Sequence, residues 1–254
     1  MGYPLRYFVP GHVWHITHRC HNRDFLLEYA WYRDLWVKWL QEGRDRYNVS
    51  ILNFTVTSNH IHLLVLGQED RDAIPRMMQL VASRVGATFN KRRGRKGAFW
   101  EKRYHATAIE TDEYLARCSL YVDLNMNRAG AVDHPKDWKH SGYHEITQPK
   151  QRYRLIAVKE LARLMGMPDG FDFREHYSGW IDNAIRKGNL SRNEIWSVEL
   201  AVGSQSFVDM LRLKMGAMPR NKKSTATVHE GFHDYGMIDG ENMLEWEIYN
   251  PSDF

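Results

Sequence analysis

The chain is 254 residues long, 43% hydrophobic and 26% charged, which provides for a buried core and excludes global disorder. Its formal net charge is +4, from 35 basic and 31 acidic residues, so charge alone does not mark a nucleic-acid partner. Cys20 and Cys118 are too few for a disulfide framework or a cysteine-rich zinc site, no run of about 18 apolar residues offers a membrane span, and residues 1–6 lack an apolar export signal, so a cytoplasmic protein is expected.

Residues 11–19 alternate apolar and polar, as a half-buried strand does. Residues 29–47 then place Tyr32, Leu35, Trp36 and Leu40 at helical spacing. Two strands are predicted next, from Ile51 to Val56 and from His60 to Leu66, joined by the tight connection Thr57-Ser58-Asn59. A second amphipathic helix over 72–90 carries Met77, Met78, Val81 and Val85, and a glycine-spaced basic loop from Arg92 to Gly97 follows it. Residues 103–110 read as a fourth strand. Thr111 or Asp112 then caps a helix that runs to about Arg128 and stops at Gly130.

That order is the split βαβ arrangement: an α+β fold with a ferredoxin-like, four-stranded antiparallel sheet and helices on one face. Residues 133–152, with Pro135, Gly142 and Pro149, read as a linker or surface extension. Four short helical stretches follow, at 153–165, 173–187, 191–202 and 204–215, with no strand expected among them. The expected organisation is a core domain at 1–150, a helical appendage at 151–217 and an acidic tail at 218–254.

Charge is unevenly spread along this plan. Arg84 to Arg103 holds eight basic residues against Glu101 alone, whereas Ser224 to Phe254 holds seven acids and no Lys or Arg. A basic body with an acidic tail points to a polyanionic partner for which the tail competes. Within the tail, Leu244, Trp246 and Ile248 alternate with Glu245 and Glu247, the pattern of a strand that docks one apolar face.

His60 and His62 lie two apart on a strand, so both imidazoles leave the same face, as half of a metal site or as surface and core histidines. Tyr121 and Asn125 are four apart on a helix and share a face. Asn125 can add an amide oxygen to a metal, and Tyr121 can present a phenol oxygen to phosphorus or simply pack on the sheet. An RNA-recognition module has the same sheet, but it needs exposed aromatics where the strand at 60–66 has histidine.

Four segments in order, His12–Asn22, Asn59–Val65, Phe99–Tyr104 and Tyr121–Gly130, resemble the single-tyrosine, IS200-like transposases of the HUH nuclease superfamily, in particular the REP-associated tyrosine transposases. The resemblance covers about residues 3–145. It implies that His60 and His62 are the HUH pair, that Asn125 completes a site for Mg²⁺ or Mn²⁺, and that Tyr121 is the nucleophile. Single-stranded DNA would be nicked and rejoined through a 5′-phosphotyrosine. The implied partners are DNA hairpins with a flanking single-stranded recognition sequence, bound by a monomer or homodimer. Arg92, Arg93, Arg95, Lys96, Lys102 and Arg103 are expected to meet phosphates, and Phe99 and Trp100 to stack on bases. Ser58 stands where many relatives have proline before Asn-His, and Met126-Asn127 replaces the commoner Pro-Val. The alternative function is a domesticated hairpin-binding protein that does not cleave.

Overall fold

A computed structural model describes residues 8–148, 150, 152–188 and 194–215. The alternating tail pattern at 244–248 lies outside the described residues. Strand β1 (Val13–Arg19) leads into helix α1 (Ala30–Tyr47), then the hairpin β2 (Ser50–Val56) and β3 (His60–Leu66). Helix α2 (Ala73–Arg93), strand β4 (His105–Ile109) and helix α3 (Glu113–Asp123) complete the expected series. The described strands form one sheet in the order β2-β3-β1-β4-β5, antiparallel throughout the first four. That is the split βαβ connectivity.

Three expectations need correction. The sheet has a fifth strand, β5 (Ala201–Val202), parallel to β4, in a stretch expected to be helical. Two residues are too few for a period-2 signal, and only pairing with β4 makes them a strand. The helix after β4 is divided: it stops at Asp123, and a single turn, α4 (Asn125–Arg128), follows Leu124. Asp112 does precede α3, but at φ 59° and without a side-chain capping bond. Finally, helices cover both faces of the sheet. Phe54, one residue along β2 from Asn53, meets Trp36 of α1, while Asn53 itself bonds Ser119 and Asp123 of α3. Adjacent strand residues face opposite ways, so α1 and α2 take one face and α3 the other.

The side chains explain the division. Trp14, Ile16, Ile61, Leu63 and Val65 make an apolar face under α1 and α2, and all are buried. Gly43 lets α1 approach α2 closely, since a β-carbon there would come within 2.8 Å of Met77 Cγ. The α3 face is polar instead, with His15, Thr17, Asn53, Thr55, His62 and Thr107 among its residues. A polar sheet face under a helix requires a partner for each group.

Residues 133–152 do not behave as a linker. They contain α5 (Tyr143–Thr147), bury Tyr143 and Ile146, and bridge to β2 through Thr55 and Ser141. Beyond them, α6 (Val158–Leu164), α7 (Phe173–Arg186), α8 (Ile195–Val198) and α9 (Gln205–Met215) follow. Glu199 O accepts from Thr107 Oγ1 of β4, and Tyr177 of α7 enters the polar face. No helix among the described residues is long and apolar enough to cross a membrane.

A buried knot anchors α3 at the level of Tyr121. Tyr177 donates to Asp123 Oδ2 at 2.6 Å, Asn53 Nδ2 donates to the same oxygen at 3.0 Å, and Thr55 Oγ1 donates to Val122 O at 2.9 Å. Burial pushes the Asp123 carboxyl up from 3.8 to about 7, against the hydrogen bonds from Tyr177 and Asn53 that favour its charged form. The folded-state value lies above the unfolded one, so the fold prefers the protonated acid. Its contribution to stability is complete below pH 4 and is lost as pH rises to about 7. The full effect is on the order of 4 kcal/mol, at about 1.4 kcal/mol per pH unit. Between pH 4.5 and 7.5 the unfolding free energy of wild type should therefore fall by about 3 kcal/mol relative to that of Asp123→Asn, read from denaturant titrations at each pH. Parallel pH curves would show that Asp123 does not titrate in that window.

Candidate active site

The register brings the histidines together. Thr17 of β1 lies opposite His62 of β3 and His105 of β4, and His15 lies opposite Leu64 and Thr107. His15 and His62 therefore share a face one step apart diagonally, their rings stacked with centroids at 5.1 Å. The rings of His60 and His62 are 5.0 Å apart. Above them, α3 delivers Tyr121, whose ring lies 5.7 Å from that of His62 and 6.2 Å from that of His15. The first residue of α4, Asn125, places Nδ2 at 2.9 Å from His62 Nε2. Tyr121, His60, His62 and Asn125 are thus gathered in one cluster. The i, i+4 relation of Tyr121 and Asn125 survives the break at Leu124.

Three further residues complete the cluster. His15 Nε2 lies 2.9 Å from His62 Nδ1, and His15 Nδ1 lies 2.6 Å from the carbonyl of Trp196 in α8. The Trp196 ring also packs at 6.2 Å from Tyr121. Arg128 sets its guanidinium 4.1 Å over the Tyr121 ring and donates to the Tyr121 carbonyl at 2.6 Å. Strand alternation already puts His15 on one face of β1, a signal available in the sequence. Nothing local could link it to a carbonyl 181 residues away.

Carbonyl oxygens settle the protonation pattern, because they only accept. At one end, Trp196 O requires the proton of His15 on Nδ1. Burial holds the His15 ring down from 6.5 to about 4; the Trp196 hydrogen bond opposes this, and the charges of His105 and Arg128 reinforce it. A neutral His15 then accepts at Nε2, so His62 donates from Nδ1 and keeps its Nε2 lone pair toward Asn125. At the other end, Asn59 Nδ2 donates to Arg23 O at 3.0 Å, which turns Asn59 Oδ1 to His60 Nδ1 at 2.7 Å. His60 is thereby protonated on Nδ1 as well. Both imidazoles of the pair are held with Nε2 as the electron-pair donor, the tautomer a metal ligand needs. Among the described residues no three His, Cys, Asp or Glu side chains converge on a metal position. The Asn125 amide is the group in contact with His62 Nε2.

The basic residues lie at the same end of the sheet. Arg92 and Arg93 close α2, and Lys96, Lys102 and Arg103 are exposed in the loop to β4. Arg95 is tied into that loop, donating to Asn90 Oδ1 at 3.2 Å and Ala98 O at 2.9 Å. The expectation for Phe99 is overturned. It is only 4% exposed, wedged against Gly86 and 5.0 Å from the Phe89 ring, so its face is not offered to a base. Trp100 is half-buried, stacked 4.0 Å from His18 and donating Nε1 to Ala82 O.

A split βαβ sheet thus carries a histidine pair under a helical tyrosine, with cationic loops at the same end. Residues 8–125, a segment that runs from before β1 to Asn125, match the family model described as "Transposase IS200 like". No curated protein matches the chain. Among solved structures, a REP-associated tyrosine transposase bound to a REP hairpin is similar at 21% identity, over 57% of this chain and 84% of that one, with a TM-score of 0.48. A protein from Deinococcus radiodurans R1, assigned as a transposase, is similar at 13% identity, over 51% of this chain and 98% of that one, with a TM-score of 0.34.

Proposed function

We propose that this chain is a REP-associated type of tyrosine transposase, a nuclease that nicks and rejoins hairpin-forming single-stranded DNA at Tyr121. The observation that carries the reading is the tautomer pattern: His60 and His62 both present Nε2, and Asn125 and the Tyr121 ring close over them. His60, His62 and the Asn125 amide, turned to present Oδ1, would hold a divalent ion. When bound, Mg²⁺ or Mn²⁺ supplies charge that polarises the scissile phosphate. Two imidazoles and one amide oxygen leave positions for water and phosphate, unlike a closed zinc site.

The chain's own part in the step is nucleophilic. Tyr121 Oη forms a bond to phosphorus and gives up its proton, the P–O3′ bond breaks, and the departing 3′ oxygen takes up one proton. One ester replaces another, so the 5′-phosphotyrosine retains the bond energy and a 3′-hydroxyl can reverse the step. Arg128 fixes the Tyr121 ring and backbone against α4, and places a cation beside the developing charge.

The test is incubation of a 5′-labelled hairpin oligonucleotide with the purified chain in Mn²⁺ or Mg²⁺, and separately in excess chelator. A nick with metal and none in chelator is expected. Cleavage that persists in chelator contradicts the metal assignment, and hairpin binding without cleavage under any metal favours the non-cleaving alternative.

A further inference from the structure

Removing Phe99 from the DNA surface leaves the cations of α2 without the aromatic partner expected for them, and the fold supplies a different one. Helices α1 and α2 run antiparallel, with Tyr32 4.8 Å from Phe89 at one end and Gly43 against Met77 at the other. The first turn of α1 therefore meets the last turn of α2. There Arg92 lies 4.3 Å over the Trp31 ring and Arg93 lies 4.9 Å over the Tyr29 ring, and Arg93 donates to the Tyr29 and Tyr32 hydroxyl oxygens. These five residues line an open cleft of about 420 Å³. Tyr29 is 52% exposed and Trp31 43%, large rings that the core does not use.

We propose that this cleft is a binding subsite for unpaired deoxynucleotides, with bases stacking on Trp31 and Tyr29 and phosphates meeting Arg92 and Arg93. The proposal rests on the DNA-binding reading above and locates the part of the substrate held away from the nick. Charge selects a polyanion: α2 carries Arg76, Arg84, Lys91, Arg92 and Arg93 and no acid at all. The rings select unpaired bases, because a duplex has its base faces already stacked. Guanidinium groups already held over the rings are pre-ordered for both contacts and lose little freedom on binding.

Position supports the same occupant. Leu27 N donates to Ser58 O at 2.8 Å and Asn59 Nδ2 to Arg23 O at 3.0 Å, so the segment from Arg23 to Tyr29 runs directly from the His60 turn to the cleft. Phe25, on that path, is 64% exposed. A strand leaving the histidine pair can follow this segment.

The experiment compares anisotropy titrations of two labelled hairpins, one with a single-stranded tail containing 2-aminopurine and one blunt. For Tyr29→Ala/Trp31→Ala the tailed hairpin should bind about tenfold or more weakly, with the blunt one changed less than about twofold, given the usual cost of a lost base stack. Tyr29→Phe/Trp31→Phe should recover most of the affinity, and 2-aminopurine quenching should follow the rings. Equal loss on both hairpins, or no loss on either, overturns the subsite while leaving the DNA-binding reading intact. A wild-type chain that binds neither hairpin overturns both.

Discussion

Tyr121→Phe should abolish nicking and the covalent protein–DNA product, a loss on the order of a thousandfold or more, while hairpin affinity stays within about twofold. Only the oxygen is removed. The ring keeps its contacts with His15, His62 and Trp196 and its cover from Arg128, so the cluster and the fold remain. Affinity and cleavage read out separate parts of the molecule, the basic surface and the buried phenol. A variant that still cleaves places the nucleophile elsewhere, with Tyr114 and Tyr104 the next candidates.

His62→Ala should remove cleavage and divalent-ion binding together, since under the proposed function the ring would supply one of two imidazole ligands. The more discriminating change is at His15, which touches no metal position and acts by holding the His62 proton on Nδ1. His15→Leu should weaken Mn²⁺ binding about 10- to 100-fold, the usual cost of losing a partner behind a metal-bound histidine. His15→Gln should lose less, because an amide can accept from His62 and donate to Trp196 O at once. Calorimetry with Mn²⁺ measures both, and ¹⁵N chemical shifts of the His62 ring report the tautomer without metal. Equal affinities for wild type, Leu and Gln would remove His15 from the site.

Much of this site was legible because its signals are local. A strand period of two puts His60 and His62 on one face, and a helical turn puts Tyr121 under Asn125, whatever the rest of the chain does. The split βαβ order followed from the same periodicities. What escaped is set by partners distant in sequence. The pairing of β1 with β3 brings His15 to His62, and the α8 carbonyl that orders both lies far along the chain. Phe99 was misassigned because proximity to a basic run says nothing about which side of α2 the ring meets, and Gly86 opens a slot there for it. Tyr29 and Trp31 read as ordinary helix-start residues until α2 brings Arg92 and Arg93 over them. The polar α3 face explains the helices on both sides of the sheet: Asn53 and Thr55 lie among the apolar residues of β2, Asn53 donating to Ser119 and Asp123 of α3 and to Tyr177 of α7, and Thr55 donating to Val122 O of α3.

The most direct measurement is to trap the chain with a hairpin oligonucleotide and Mn²⁺, digest the covalent product, and locate the nucleotide-bearing peptide by mass spectrometry. A 5′-phosphodeoxynucleotide on the Tyr121 phenol, absent when chelator replaces the ion, is the predicted result. An adduct on any other residue, or hairpin cleavage with no protein–DNA bond at any time, would contradict the assignment.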